Sequence, residues 1–136
     1  MKRLISLLLC FGIILSLGCV TVSASNEVIT PRFNNVMNTE ADFNIDSNGN
    51  AIVSVGYYGY NGITTGAKIT ILLEEKRFFF FWADVEEWVI TSSNYNDNFV
   101  RSCLVSEGDY RVTVTFEISG TGGATDVREV ELEDSY

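Results

Sequence analysis

Glu107-Gly108-Asp109-Tyr110-Arg111-Val112-Thr113-Val114-Thr115-Phe116-Glu117-Ile118 alternates without a slip. Tyr110, Val112, Val114, Phe116 and Ile118 fall on one face, and Arg111, Thr113, Thr115 and Glu117 on the other. That period of two is what a strand needs when one face enters a core and the other meets water. Gly108-Asp109 supplies a turn ahead of it. Tyr110, two residues before the inward Val112, is placed like the tyrosine corner of immunoglobulin-like sandwiches. The stretch predicts a strand of an antiparallel β-sandwich.

The segments on either side repeat the pattern. Ala41, Phe43 and Ile45 alternate with Asp42, Asn44 and Asp46 as a first strand. Asn48-Gly49 then predicts a type I′ hairpin turn. Ala51, Val53, Val55 and Tyr57 form the inward face of a second strand, with Ile52, Ser54, Gly56, Tyr58 and Tyr60 opposite. A Gly/Thr/Asn loop over 59–66 leads to a third strand carrying Ile69, Ile71 and Leu73, with Glu74-Glu75-Lys76-Arg77 as its exit to solvent. In the segment 78–90, Phe81, Val85, Trp88 and Val89 also fit one face of a short helix. The run Phe78-Phe79-Phe80-Phe81-Trp82 favours strands and no N-cap precedes it, so a fourth strand with a bend or bulge near Asp84 is expected. A fifth strand over 99–105 has Phe99, Cys103 and Val105 inward, and a seventh over 127–133 has Val130 and Leu132 two apart. The fold class is all-β: one immunoglobulin-like sandwich of about seven antiparallel strands, without internal repeat or linker.

The N-terminus sets the compartment. Met1-Lys2-Arg3, an apolar run from Leu4 to Val20 broken by Gly12, Ser16 and Gly18, and Val22-Ser23-Ala24 read as a secretory signal peptide over residues 1–24. Cleavage is expected between Ala24 and Ser25. A lipoprotein signal is the alternative because Gly18 precedes Cys19, although Ser16 stands where such signals carry Leu. Residues 25–39 are polar, hold Pro31, and are expected to be an irregular lead-in, with the sandwich domain over 40–136. The expected location is secreted, extracellular or loosely cell-wall associated.

Composition narrows the chemistry further. Removing residues 1–24 from the 136 leaves 112, enough for one core. Losing Lys2 and Arg3 takes the net charge from −9 to −11. So acidic a surface repels nucleic acid and anionic membranes, and no stable membrane insertion is expected after cleavage. Cys10 and Cys19 leave with the signal, so Cys103 has no intrachain partner and is expected in the core. No histidine occurs anywhere, which removes Ser-His and Cys-His catalysis and the commonest zinc ligand.

Taken together, Pro31-Arg32-Phe33, Gly49-x-Ala51, Ile69-x-Ile71-x-Leu73, Trp82-x-x-Val85-x-x-Trp88 and Gly108-x-Tyr110-Arg111-Val112 give the chain a resemblance. It resembles a family of small signal-peptide-bearing secreted β-sandwich proteins of clostridia-like Gram-positive bacteria. The likeness covers nearly all of the chain after the signal, and it implies fold and export but no activity. It also supports strand over helix for 78–90, since the family's first tryptophan follows a hairpin from the Ile-x-Ile-x-Leu strand. Two features depart from the pattern: the four phenylalanines, where relatives are Gly/Ser-rich, and Cys103, where they carry an aromatic residue. The paired cysteines and strand-C tryptophan of true immunoglobulin domains are missing.

Candidate sites divide by chemistry. Asp42-x-Asn44-x-Asp46-x-Asn48-Gly49 begins like a calcium loop, but its glycine is two places late and the bidentate Glu is missing. No metal and no cofactor is therefore expected. Glu74, Glu75, Asp84, Glu86 and Glu87 could furnish a glycosidase pair, but they read better as a solvated edge. No catalytic residue is expected. Phe78 to Trp82 would make both faces of one strand apolar, so Phe79, Phe81 and Trp88 become binding candidates, with Tyr58 and Tyr60 as a second aromatic platform. The expected role is a non-enzymatic binding module for an extracellular protein or glycan. The alternatives are a self-assembling structural protein of the cell surface and, last, a carboxylate-dependent glycan hydrolase.

Overall fold

The computed structural model describes residues 33–136, and the expected signal peptide, its expected cleavage site and the lead-in up to residue 32 lie outside them. Seven strands follow in order: β1 (Val36–Ile45), β2 (Asn50–Gly59), β3 (Thr64–Arg77), β4 (Phe81–Ser92), β5 (Asn96–Leu104), β6 (Asp109–Gly120) and β7 (Asp126–Ser135). They form two sheets, ordered β1-β2-β5 and β4-β3-β6-β7, with every pairing antiparallel. A constant-type immunoglobulin domain places its fourth strand beside the fifth. Here β4 stays beside β3, because a three-residue turn leaves it nowhere else to pair.

The core is what the alternation prescribes. Val53, Tyr57, Ile69, Ile71, Leu73, Val112, Val114 and Phe116 are wholly buried, and Val36, Val55, Tyr110 and Ile118 nearly so. β6 contributes Tyr110, Val112, Val114, Phe116 and Ile118, the five inward residues of its alternation. The Tyr110 hydroxyl donates to the Ser106 carbonyl at 2.9 Å, the hydrogen bond of a tyrosine corner. The Tyr57 hydroxyl donates to the Asn94 carbonyl at 2.8 Å, so both large buried phenols are satisfied at their polar ends.

Several boundaries differ from the sequence reading, each for a tertiary reason. β1 starts at Val36, inside the expected irregular lead-in. The Asp126 carboxylate accepts from the backbone N–H of Asn34, Asn35 and Val36, at 3.1, 2.6 and 3.1 Å, and so holds this polar stretch in place. Asp134 does the same at the other end, accepting from Ile45 N–H at 2.7 Å, so two acids of β7 clamp both ends of β1. β3 begins at Thr64, within the expected loop, where the Thr64 hydroxyl donates to the Asn35 carbonyl. Its far end does not leave for solvent at Glu74. Arg111 of β6 stands opposite Glu74, and their ion pair at 2.7 Å lets the strand run on to Arg77.

The first hairpin is present, but its turn is not type I′. Gly49 has φ +75° while Asn48 is not left-handed, and Gly49 N–H donates to the Asp46 carbonyl at 3.0 Å. This is the three-residue form, a turn followed by a left-handed glycine. Asp46 selects it, because its side chain accepts from Asn48 N–H at 2.8 Å and Asn50 N–H at 3.0 Å. On β5 the inward register holds Phe99 and Cys103, both half-buried against the core, while Val105 follows the strand's end at Leu104.

Candidate functional site

The β3–β4 hairpin pairs out to Arg77 opposite Phe81, leaving Phe78, Phe79 and Phe80 as the whole turn. The aromatic run is therefore not five residues of strand, as its composition suggested. Three of its side chains stand at the hairpin tip, 89%, 94% and 86% exposed, and Phe81 behind them is 59% exposed. Phe78 sits at φ +60°, a left-handed backbone that a bulky residue adopts at a cost.

A bulge decides what lies below the tip. Leu73 pairs with Glu86 and Glu74 with Asp84, so Val85 is an extra residue on β4, close to the bend expected at Asp84. Because side chains alternate with period two, one inserted residue inverts the faces beyond it. Trp88 therefore pairs with buried Ile71 and packs against the core, whereas Trp82 pairs with Lys76 on the outer face. There the Trp82 ring lies 4.5 Å from the Arg111 guanidinium and 5.8 Å from the Lys76 ammonium, within reach of cation–π attraction. Arg111 bonds Glu74 through Nε at 2.9 Å and Nη2 at 2.7 Å, and Glu131 lies 3.5 Å away. Arg77 pairs with Glu75 at 2.6 Å. Trp82, Lys76 and Arg111 thus brace the tip, a constellation that strand periodicity alone hides because the bulge reassigns the faces.

The five binding candidates do not form one site. Phe79 and Phe81 share the tip. Trp88 is a half-buried supporting residue on the inner face. Tyr58 and Tyr60 lie at the β2–β3 turn, by the start of β3, with 37% and 36% exposure. The 14 residues of β3 separate that turn from the Phe tip by roughly 40 Å at 3.3 Å per residue. Beside Tyr58 the outer face of the first sheet holds a shallow groove of about 350 Å³ lined by Glu40, Asp42, Ser54, Gly56, Asn98 and Val100. A Cβ at Gly56 would come within 2.2 Å of Asn98 Oδ1, so the exposed Asn98 side chain would have to swing aside to admit one. A second depression of about 420 Å³ beside the tip has polar walls, including Lys76, Asp109, Glu133 and Asp134.

The other chemical candidates are placed separately. Glu74 and Glu75 are engaged by arginines, and Asp84, Glu86 and Glu87 are exposed along the β4 edge. Asp42 and Asn44 project from β1 while Asp46 is occupied by the turn's N–H groups, and among the described residues no three acidic or sulfur ligands converge. Burial pushes the Cys103 thiol up from its ordinary value, and the negative charge of Glu86 adds to this. Among the described residues no helix is long and apolar enough to cross a membrane. Comparison of the chain with protein-family models, curated proteins and solved structures finds no match.

Proposed function

We propose that the chain is an exported, non-enzymatic binding module whose contact element is the tip of the β3–β4 hairpin, with Phe79 and Phe81 as its central residues. The observation that carries this reading is the exposure of Phe78, Phe79 and Phe80, each above 85%, at a turn where nothing in the core requires them. Apolar groups so displayed raise the risk of aggregation and are retained where a partner covers them. The charges around them, Lys76 and Arg77 on one side and Asp84, Glu86 and Glu87 on the other, keep the free protein soluble.

A second reading has its own support. β4 is a 12-residue strand at the edge of its sheet, and its free backbone groups could pair with a second copy. The exposed acids Asp84, Glu86 and Glu87 on that edge oppose such pairing.

The test is Phe79→Ser combined with Phe81→Ser. Both side chains are more than half exposed, so the melt should stay within about 0.5 kcal/mol of the parent. Retention on a phenyl matrix, and any self-association seen by light scattering, should be lost. A double variant that fails to fold, or one that associates as the parent does, would remove the tip from the binding role.

A further inference from the structure

The chemistry of the hairpin changes in layers from its tip. The outermost layer is Phe78, Phe79 and Phe80, without a polar side chain among them. Behind it come the pairs Arg77–Phe81 and Lys76–Trp82, aromatic groups interleaved with two cations. By backbone position the hairpin's own carboxylates come next, with Glu75 opposite Ala83 and Glu74 opposite Asp84, while Asp109, Glu133 and Asp134 of the neighbouring strands flank Lys76 and Trp82 from the side. At about 3.3 Å per residue, the step from the phenylalanine layer to the carboxylates spans roughly 10 Å. A lipid leaflet presents the same order from acyl chains outward: hydrocarbon, then a belt where Trp, Lys and Arg sit, then water. The depth matches as well, since interfacial elements bury their apolar groups roughly 5–10 Å into the headgroup boundary.

From this layering we infer that the tip embeds in the surface of a lipid bilayer, with the three phenylalanines at the acyl boundary and Trp82, Lys76 and Arg77 among the headgroups. The inference rests on the reading of the tip as the contact element and names its partner. Shape favours lipid over a second copy. The tip is convex, and the depression beside it is walled by Lys76, Asp109, Glu133 and Asp134. The groove on the first sheet, although it has Ala41, Val55, Phe99 and Val100 in its lining, is shallow and flanked by Glu40 and Asp42.

Charge then selects the kind of bilayer. Arg77 is neutralised by Glu75 at 2.6 Å and Arg111 by Glu74 at 2.7 Å. Lys76 alone of the three has no carboxylate partner among the described residues, and the chain as a whole carries −9. An anionic membrane would repel this protein, so the surface it suits is zwitterionic. This contact is peripheral and leaves the sandwich in water, which sets it apart from the spanning insertion that the acidic composition argues against.

Trp82 is a reporter already in place. The chain has two tryptophans, and Trp88→Phe keeps an aromatic ring against the core while leaving Trp82 as the single indole. With phosphatidylcholine vesicles, the Trp82 emission of this full-length chain should shift to the blue, and lipids brominated on their acyl chains should quench it. Replacing part of the phosphatidylcholine with phosphatidylglycerol should weaken binding at low salt, and added salt should restore it. Changing Phe78, Phe79 and Phe80 together to serine should abolish the shift and quenching and lower the tip's affinity for vesicles by roughly tenfold or more. The apolar run 4–20 is the same in both chains, so the indole signal isolates the tip. An emission unmoved by vesicles, or an equal shift in the triple variant, overturns the lipid assignment. If vesicles leave Trp82 unmoved while Phe79→Ser with Phe81→Ser still abolishes self-association, lipid is excluded and the tip remains the contact element. If no association of any kind depends on the tip, both readings fall together.

Discussion

The two hairpin turns at Asp46–Gly49 and Phe78–Phe80 solve one geometric problem in opposite ways. In the first, the left-handed position is filled by Gly49 at φ +75°, and the Asp46 side chain accepts two backbone N–H groups. In the second, the left-handed position is filled by Phe78 at φ +60°, and no side chain of the turn makes a hydrogen bond among those of the described residues. The first turn exposes polar groups and the second exposes three phenyl rings. The first sequence is what folding alone would select, because each residue favours the conformation it adopts. The second places a bulky residue in the left-handed position at Phe78, and such conflicts with local preference concentrate where another requirement acts on the chain.

Breaking the first turn should have the largest effect. A Cβ at Gly49 would lie 2.8 Å from the Val105 carbonyl oxygen and 2.8 Å from Tyr136 Cε1, on a backbone already disfavoured for other residues. Gly49→Val should cost about 3 kcal/mol, read as a lower denaturant midpoint with unchanged slope. A loss below half that value would show that the turn relaxes and that its glycine is less constrained than its contacts imply.

Relieving the second turn should act in the opposite direction. Phe78→Gly removes a bulky residue from a left-handed backbone, a gain partly offset by the greater freedom of glycine in the unfolded chain. The net expectation is a stabilisation of about 1 kcal/mol together with weaker retention on the phenyl matrix. Stability and association would then move apart, as a turn kept for contact and not for folding demands. A destabilised Phe78→Gly protein would instead make the phenylalanine part of what holds the hairpin.

This contrast also marks what the sequence could reveal. The strand faces of β2, β3 and β6 were legible because period-two alternation is local, and the fourth strand with its bulge was legible from aromatic composition and the bend expected near Asp84. The extent of β1 was not, because the groups that hold residues 34–36 belong to Asp126, some 90 positions away. The two tryptophans could not be told apart either. Their even spacing puts them on one face of a regular strand, and only the position of the extra residue, Val85, sends Trp82 outward and Trp88 inward. The tip itself was misread as strand since Phe is a poor turn former, and the pairing of Arg77 with Phe81 overrode that preference.

The smallest effect separates the turns by acidity. The N–H groups of Asn50 and Asn48, in that order of influence, hold the Asp46 carboxyl below its ordinary value of 3.8. The folded chain therefore binds this proton less tightly than the unfolded chain does. Its contribution to stability is whole above pH 3.8 and is lost as the pH falls through the lower folded value. Asp97, held down by Asn94, Ser92 and Asn98, responds in the same direction, so the acid response of the whole protein does not isolate the turn. Asp46→Asn does isolate it, because the amide oxygen can still accept the two N–H bonds but carries no charge to lose. The parent should exceed this variant slightly in stability near neutrality, and the margin should close as the pH drops below 3.8. Over the same range the amide resonances of Asn48 and Asn50 should move with the titration, while those of Phe79 and Phe80, in a turn without an acid, should stay still. A margin constant down to well below that pH would mean that the carboxylate's charge contributes nothing to the first turn, and that its advantage over the second lies in glycine alone.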